Sequence, residues 1–107
     1  MSTPYQPTQP ERAAIDATTG TVALEFGTDW CGYCKAAAPL IAAALAGQPA
    51  VQHIKVEDGS GRALGRSFRV KLWPTLVVLK DGKEVARVVR PGDSAEVLAA
   101  LAAAPGN

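Results

Sequence analysis

Trp30-Cys31-Gly32-Tyr33-Cys34 is followed at once by Lys35-Ala36-Ala37-Ala38-Pro39-Leu40-Ile41-Ala42-Ala43-Ala44-Leu45. The first five of these residues hold both cysteines of the chain. The alanine- and leucine-rich run reads as a helix, so the cysteines fall at its first turn. A sulfur there meets backbone N–H groups that lack intrahelical partners, and the positive end of the helix dipole. Both favour the thiolate, the species that attacks a disulfide. Positions three apart share a helix face, so Cys34 lies beside Cys31. The stretch therefore supplies an activated nucleophile and a second thiol placed to resolve what the first captures.

Working outward, Thr21-Val22-Ala23-Leu24-Glu25-Phe26 is rich in β-branched and apolar residues and reads as a strand that delivers the chain to the cysteines. Upstream, Pro10 to Ala17 reads as a short helix, and Pro4, Pro7 and polar neighbours make residues 1–9 an irregular tail. Downstream, the dithiol helix runs to about Ala46 with Pro39 expected to bend it, and Gly47-Gln48-Pro49 stops it. Val51 to Val56 is a second strand and Arg62 to Phe68 a weak helix with Gly65 inside it. Thr75 to Leu79 is a nearly all-apolar strand, Lys80-Asp81-Gly82-Lys83 a hairpin turn, and Glu84 to Val89 the returning strand. Asp93 and Glu96 read as a capping-box-like start to a last helix, closed by Pro105-Gly106. The order α-β-α-β-α-β-β-α predicts an α/β fold in three layers, with a mixed sheet of about four strands between helices. Strands separated by helices are expected to pair in parallel, the hairpin adding an antiparallel edge.

At 107 residues with 48% apolar content, the chain has enough material for one core without disulfide staples. Residues 10–107 are expected to form one domain behind the tail. The net charge of +1 argues against bulk attraction to nucleic acid or anionic lipid. Apolar stretches such as Pro74 to Leu79 are too short to span a bilayer. The start, Met1-Ser2-Thr3-Pro4-Tyr5, lacks the pattern of a signal peptide. The expected compartment is a reducing cytoplasm, where a close cysteine pair serves catalysis or metal binding rather than structure.

The alternatives to a redox couple are half a zinc site and a pair of inert core cysteines. Zinc takes four ligands. With two thiols and His53 alone, a complete site requires a second chain. A non-enzymatic dimer sharing a metal or iron–sulfur centre through Cys31 and Cys34 is the corresponding functional alternative.

Strand Leu24-Glu25-Phe26, then Trp30-Cys31-Gly32-Tyr33-Cys34-Lys35, Pro39, Trp73-Pro74-Thr75, Asp81-Gly82 and Gly92 together resemble the thioredoxin family over about residues 10–104. The N-terminal region is short for that family, and its usual first strand is expected to be missing or replaced by the Pro-rich tail. The resemblance implies that Cys31 attacks a substrate disulfide and that Cys34 resolves the mixed disulfide. It implies a protein-disulfide reductase with no bound cofactor, the Cys31–Cys34 disulfide itself carrying the electrons. Its partners would be disulfide-containing proteins and a thioredoxin reductase or other thiol donor, and the chain would act as a monomer.

The same resemblance places Glu25 as a buried acid beneath Cys34, able to take that thiol's proton through water, and pairs it with Lys55 on the neighbouring strand. Trp73-Pro74-Thr75 matches the family's cis-proline loop, which packs against the cysteines. Trp30, Gly32, Tyr33, Trp73, Pro74, Thr75 and Gly92 are expected to form a substrate groove. Gly-Tyr between the cysteines departs from the Gly-Pro usual in the family's reductases, leaving glutaredoxin-like or isomerase-type exchange as a second enzymatic reading. His53, without a local partner, reads as structural or surface.

Overall fold

The computed structural model describes residues 3–104. Its elements are α1 (Arg12–Asp16), β1 (Thr21–Gly27), α2 (Gly32–Ala46), β2 (Gln52–Glu57), α3 (Ala63–Ser67), β3 (Thr75–Lys80), β4 (Lys83–Val89) and α4 (Ser94–Ala102). The four strands form one sheet in the order β2-β1-β3-β4.

β1 is buried along its whole length because both of its faces are covered. Successive side chains alternate between faces. Val22, Leu24 and Phe26 join Ile15, Val56, Leu64, Phe68, Val77 and Leu79 on the α1 and α3 side. Ala23 joins Ala37, Ile41, Ala44, Leu76, Val78, Val97 and Leu101 under α2 and α4. Glu25, two residues after Ala23, shares that second face and so projects beneath α2.

The expectation of parallel pairing holds for β1–β2, with Glu25 opposite Lys55. It fails for β3, which pairs antiparallel with β1, Phe26 opposite Thr75. The reason is length. A five-residue helix rises about 7.5 Å, whereas a six-residue strand spans about 20 Å. α3 therefore cannot carry the chain back to the start of β2, and β3 begins at the end where β2 stops. That end is also where β1 delivers the cysteines, so the Trp73-Pro74-Thr75 loop arrives beside them.

The β3–β4 turn has Asp81 at φ 50° and Gly82 at φ 81°, the pair of positive values that a two-residue hairpin with native twist requires. α2 continues through Pro39. At α4, Asp93 Oδ1 accepts the Glu96 N–H at 3.0 Å, while Glu96 Oε2 reaches past the cap to accept the Gly92 N–H at 2.6 Å. The expected stop at Pro105-Gly106 lies outside the described residues, and α4 has already ended at Ala102.

Among the described residues, the place of a first strand is taken by a bridge. Gln6 pairs with Val56 at the β2 edge, its N–H donating to Lys55 O at 3.0 Å and its carbonyl accepting the Glu57 N–H at 2.9 Å. Tyr5 beside it is buried against Cys31 and Cys34.

Candidate active site

Cys31 is the N-cap of α2, and its Sγ accepts the Cys34 N–H at 3.2 Å. A charge-assisted version of this contact forms when that sulfur is a thiolate. Both thiols are free. Cys31 is 8% exposed and Cys34 3%, so Cys31 is the sulfur nearer solvent. Cys34 is covered from below. A Cβ on Gly27 would lie 2.6 Å from both Cys34 Sγ and Tyr5 Oη, so the missing side chain at the end of β1 is what lets sulfur and hydroxyl converge there. Burial first, and then contact with Cys31, push the Cys34 thiol up to about 11, against smaller opposing help from the Thr28 backbone and the Tyr5 hydroxyl.

Glu25 is 1% exposed, as expected for an acid beneath Cys34, but its partners differ from the expected ones. Tyr5 Oη donates to Glu25 Oε2. His53 Nε2 lies 2.8 Å from Glu25 Oε1. The expected Lys55–Glu25 pair is not formed. Lys55 Nζ instead donates to Thr3 O at 2.5 Å and sits 4.3 Å from the centre of the Tyr5 ring. Register explains the exchange. Lys55 stands opposite Glu25 and His53 is two residues back on the same strand face, so both border the carboxylate. Tyr5 fills the space before it, and the long lysine stem is diverted over the ring while the shorter imidazole reaches the acid. Burial, then the neighbouring Glu25 charge, push the Tyr5 phenol well above its usual range, so the hydroxyl keeps its proton.

His53, expected to be structural or at the surface, is thus the acid's partner. Tyr5 is the acid's second partner. Its only signal in the sequence is a lone aromatic in a polar, proline-flanked segment, and nothing local ties that segment to residues twenty or more positions away.

The Trp73-Pro74 peptide is cis, and Pro74 and Thr75 are buried. Trp30, 72% exposed, meets Trp73 edge-on with ring centres 5.8 Å apart. Trp73 Nε1 donates to Asp58 Oδ2 at 2.9 Å. Gly65 explains itself here: a Cβ at that position would run into the Asp58 carboxylate, so the glycine inside α3 makes room for the acid that anchors Trp73. The Arg90 guanidinium stacks 3.6 Å over the exposed Tyr33 ring, and its Nε donates to Trp73 O at 2.8 Å. Gly32 is exposed, and Gly92 is exposed on the α4 cap. Aromatic rings therefore border Cys31 on an open surface. A hollow of about 440 Å³, walled by Gln9, Pro10, Arg12 and Leu64, contains none of these residues. Among the described residues, no group of three or more His, Cys, Asp or Glu is placed to hold a metal ion, and no helix is long and apolar enough to cross a membrane.

A helix-capping Cys31, a covered Cys34 three residues on, a buried acid below and a cis-proline loop alongside define a dithiol oxidoreductase. The sequence profile of the Thioredoxin family matches residues 8–103, and the chain belongs to that family. It is 38% identical over 79 residues to the thioredoxin of Chlamydia trachomatis, covering 74% of this chain and 78% of that one. Its fold superposes on reduced thioredoxin 2 of Pseudomonas aeruginosa with a TM-score of 0.84 and 56% identity, covering 94% and 93% of the two chains. A thioredoxin variant from Halobacterium salinarum matches at TM-score 0.75 and 27% identity over 96% and 90%. The protein is a thiol-disulfide oxidoreductase that reduces protein disulfides, with substrate proteins bearing disulfides and a reductase as the partners the family implies.

Proposed function

We propose that Cys31 is the attacking sulfur and Cys34 the resolving one, in a monomeric reductase that works in the cytoplasm on extended protein segments. Residues 10–107 act as one domain. Trp30, Gly32, Tyr33, Trp73, Pro74, Thr75 and Gly92 contact the substrate chain. Glu25 receives the Cys34 proton, and Lys55 serves this chemistry through Tyr5 rather than through the acid. The dithiol is the only redox carrier required, and a thioredoxin reductase or comparable thiol donor returns it to the reduced form.

The observation that carries this reading is the asymmetry of the two sulfurs. Cys31 caps the helix at the edge of the aromatic surface and is the sulfur nearer solvent. Cys34 is enclosed, with a high-lying thiol that stays protonated until it is called on. Binding of a main-chain segment beside the cis-proline loop would follow the usual mode of extended peptide recognition.

The test is reduction of insulin disulfides, followed in parallel with thioredoxin reductase and NADPH, with glutathione, and with dithiothreitol. Turnover with the reductase is expected to exceed that with glutathione. Cys31→Ser abolishes turnover, while Cys34→Ser accumulates mixed disulfides at Cys31. Absence of turnover with every donor would overturn the reading.

A further inference from the structure

Both carboxylate oxygens of Glu25 already have partners. Oε2 is taken by the Tyr5 hydroxyl and Oε1 by His53. The group that faces both the acid and the sulfur is the Tyr5 hydroxyl, which shares with Cys34 Sγ the pocket left by the absent Gly27 side chain. The residue is 5% exposed: Asp29 Oδ1 accepts its backbone N–H at 3.0 Å, Lys55 lies over the ring face, and Gln6 next to it is bonded into the β2 edge.

We infer that the Tyr5 hydroxyl is a catalytic proton relay between Cys34 and Glu25, and that His53 is a positioning residue holding the acid in line. The inference rests on the dithiol-exchange reading and adds to it the path of one proton. After Cys31 has captured a substrate sulfur, Cys34 passes its proton to Tyr5 Oη as Tyr5 passes its own to Glu25 Oε2. The tyrosine stays neutral and Glu25 becomes the acid. The Cys34 thiolate then forms the Cys31–Cys34 bond, the Cys31–substrate bond breaks, and the substrate sulfur leaves as a thiolate that protonates from solvent. Two electrons pass from the dithiol to the substrate. In the return half-reaction a donor thiolate attacks Cys31, Cys34 departs as a thiolate, and Glu25 returns the stored proton through Tyr5; a second donor thiolate then attacks the donor sulfur of the mixed disulfide, which frees Cys31 as a thiolate and leaves the donor as a disulfide. A hydroxyl suits this task because it accepts and donates at once.

The groups that bear on this path are Glu25 on β1, His53 and Lys55 on β2, Cys31, Cys34 and Lys35 on α2, and Asp29 in the loop before α2. As pH rises, Cys34 ionises without help and the relay loses its advantage. Its loss is therefore felt most at neutral pH.

The test uses dithiobis-nitrobenzoate, an aromatic disulfide whose released thiol absorbs visible light. Reduced wild-type protein releases one equivalent when Cys31 attacks and a second when Cys34 resolves the adduct. Tyr5→Phe keeps the ring and removes the oxygen. The first phase is expected to be unchanged and the second slowed about 10- to 100-fold at pH 7, the scale of a lost acid–base group, with the deficit closing as pH is raised. His53→Gln, which keeps a donor toward the acid, is expected to slow the second phase less than Tyr5→Phe does. The melting curve of Tyr5→Phe and the pH profile of its second phase separate packing from proton transfer, because a packing defect lowers the melting temperature and slows the second phase equally at all pH values. A second phase equal to wild type, or slowed by the same factor at every pH, overturns the relay. A missing first phase in wild type overturns the exchange reading and the relay with it.

Discussion

A cysteine can be both poor as a free nucleophile and well suited to a second step. Cys34 ordinarily titrates near 9.0, and in the fold it is raised to about 11, chiefly by burial. Below pH 9 the folded and unfolded chains both hold this proton, and the contribution to stability is fully present. Between about pH 9 and 11 the unfolded chain releases it while the folded chain keeps it, so the native state binds more protons and stability falls as pH rises. The Tyr5 phenol, raised in the same direction, extends the loss further into alkali. Urea unfolding of the reduced protein is thus expected to lose stability across this window. Cys34→Ser should flatten the slope, leaving a residual alkaline loss from Tyr5. An equally steep slope in Cys34→Ser would mean that the thiol is not held protonated by the fold. At this scale the sequence was legible where chemistry is local, as with Cys31, Cys34 and the acid at Glu25. It was not legible for Tyr5 or His53, because a partner chosen by packing across the sheet leaves no mark in the spacing.

The elements were readable to within a few residues because their periods and stops are strong: an apolar strand at Thr75, an alanine-rich helix after the cysteines, an Asp-Gly turn. What misled was direction. β3 reads as a parallel strand if α3 is taken as a full crossover, and only the short rise of Ala63–Ser67 turns it antiparallel. The hairpin turn has a constraint that propensity alone does not reveal. A Cβ on Gly82 would lie 1.9 Å from the Asp16 carbonyl oxygen at the end of α1, and φ there is 81°. Asp81 fixes the same contact from its side, its N–H donating to Gly20 O at 2.9 Å and its Oδ1 accepting the Gly20 N–H at 2.8 Å. The turn is therefore both a reversal and the joint between the hairpin and the first helix. Gly82→Ala combines a disfavoured backbone with a collision against main chain, and is expected to cost about 2–4 kcal/mol. Gly47→Ala makes the comparison, since φ is −90° at that helix end and nothing lies within 4 Å. It should be nearly neutral. Thermal melts of the two variants decide the matter, and similar losses in both would remove the joint.

Across the whole molecule, the sheet has four strands and two edges, and they are treated differently. β4 is largely exposed, with Lys83, Glu84 and Arg87 along it, charges that discourage a further strand from pairing. The β2 edge is instead occupied by the N-terminal segment, which carries almost no secondary structure and yet touches three elements. Gln9 Nε2 donates to Glu57 O at 3.0 Å, and its Oε1 accepts the Leu64 N–H at 3.1 Å, joining β2 to α3. Gln6 bridges β2, and Tyr5 closes the space beneath α2. Composition alone marks residues 1–9 as a tail because polar and proline residues dominate it, but one buried ring and the backbone and amide links of Gln6 and Gln9 are enough to make it a wall of the site. Burying a tyrosine of this kind is worth about 3 kcal/mol or more. In a domain of this size each kcal/mol moves the midpoint by about 4–8 °C. Removing residues 1–9 is therefore expected to lower Tm by at least about 10 °C. The same deletion opens Cys34 to solvent, so alkylation of the reduced protein by iodoacetamide should spread from Cys31 to both cysteines. Mass spectrometry of the alkylated chains reads this directly. A truncated protein that melts with the full chain and is still modified only at Cys31 would return the segment to the status of a loose end.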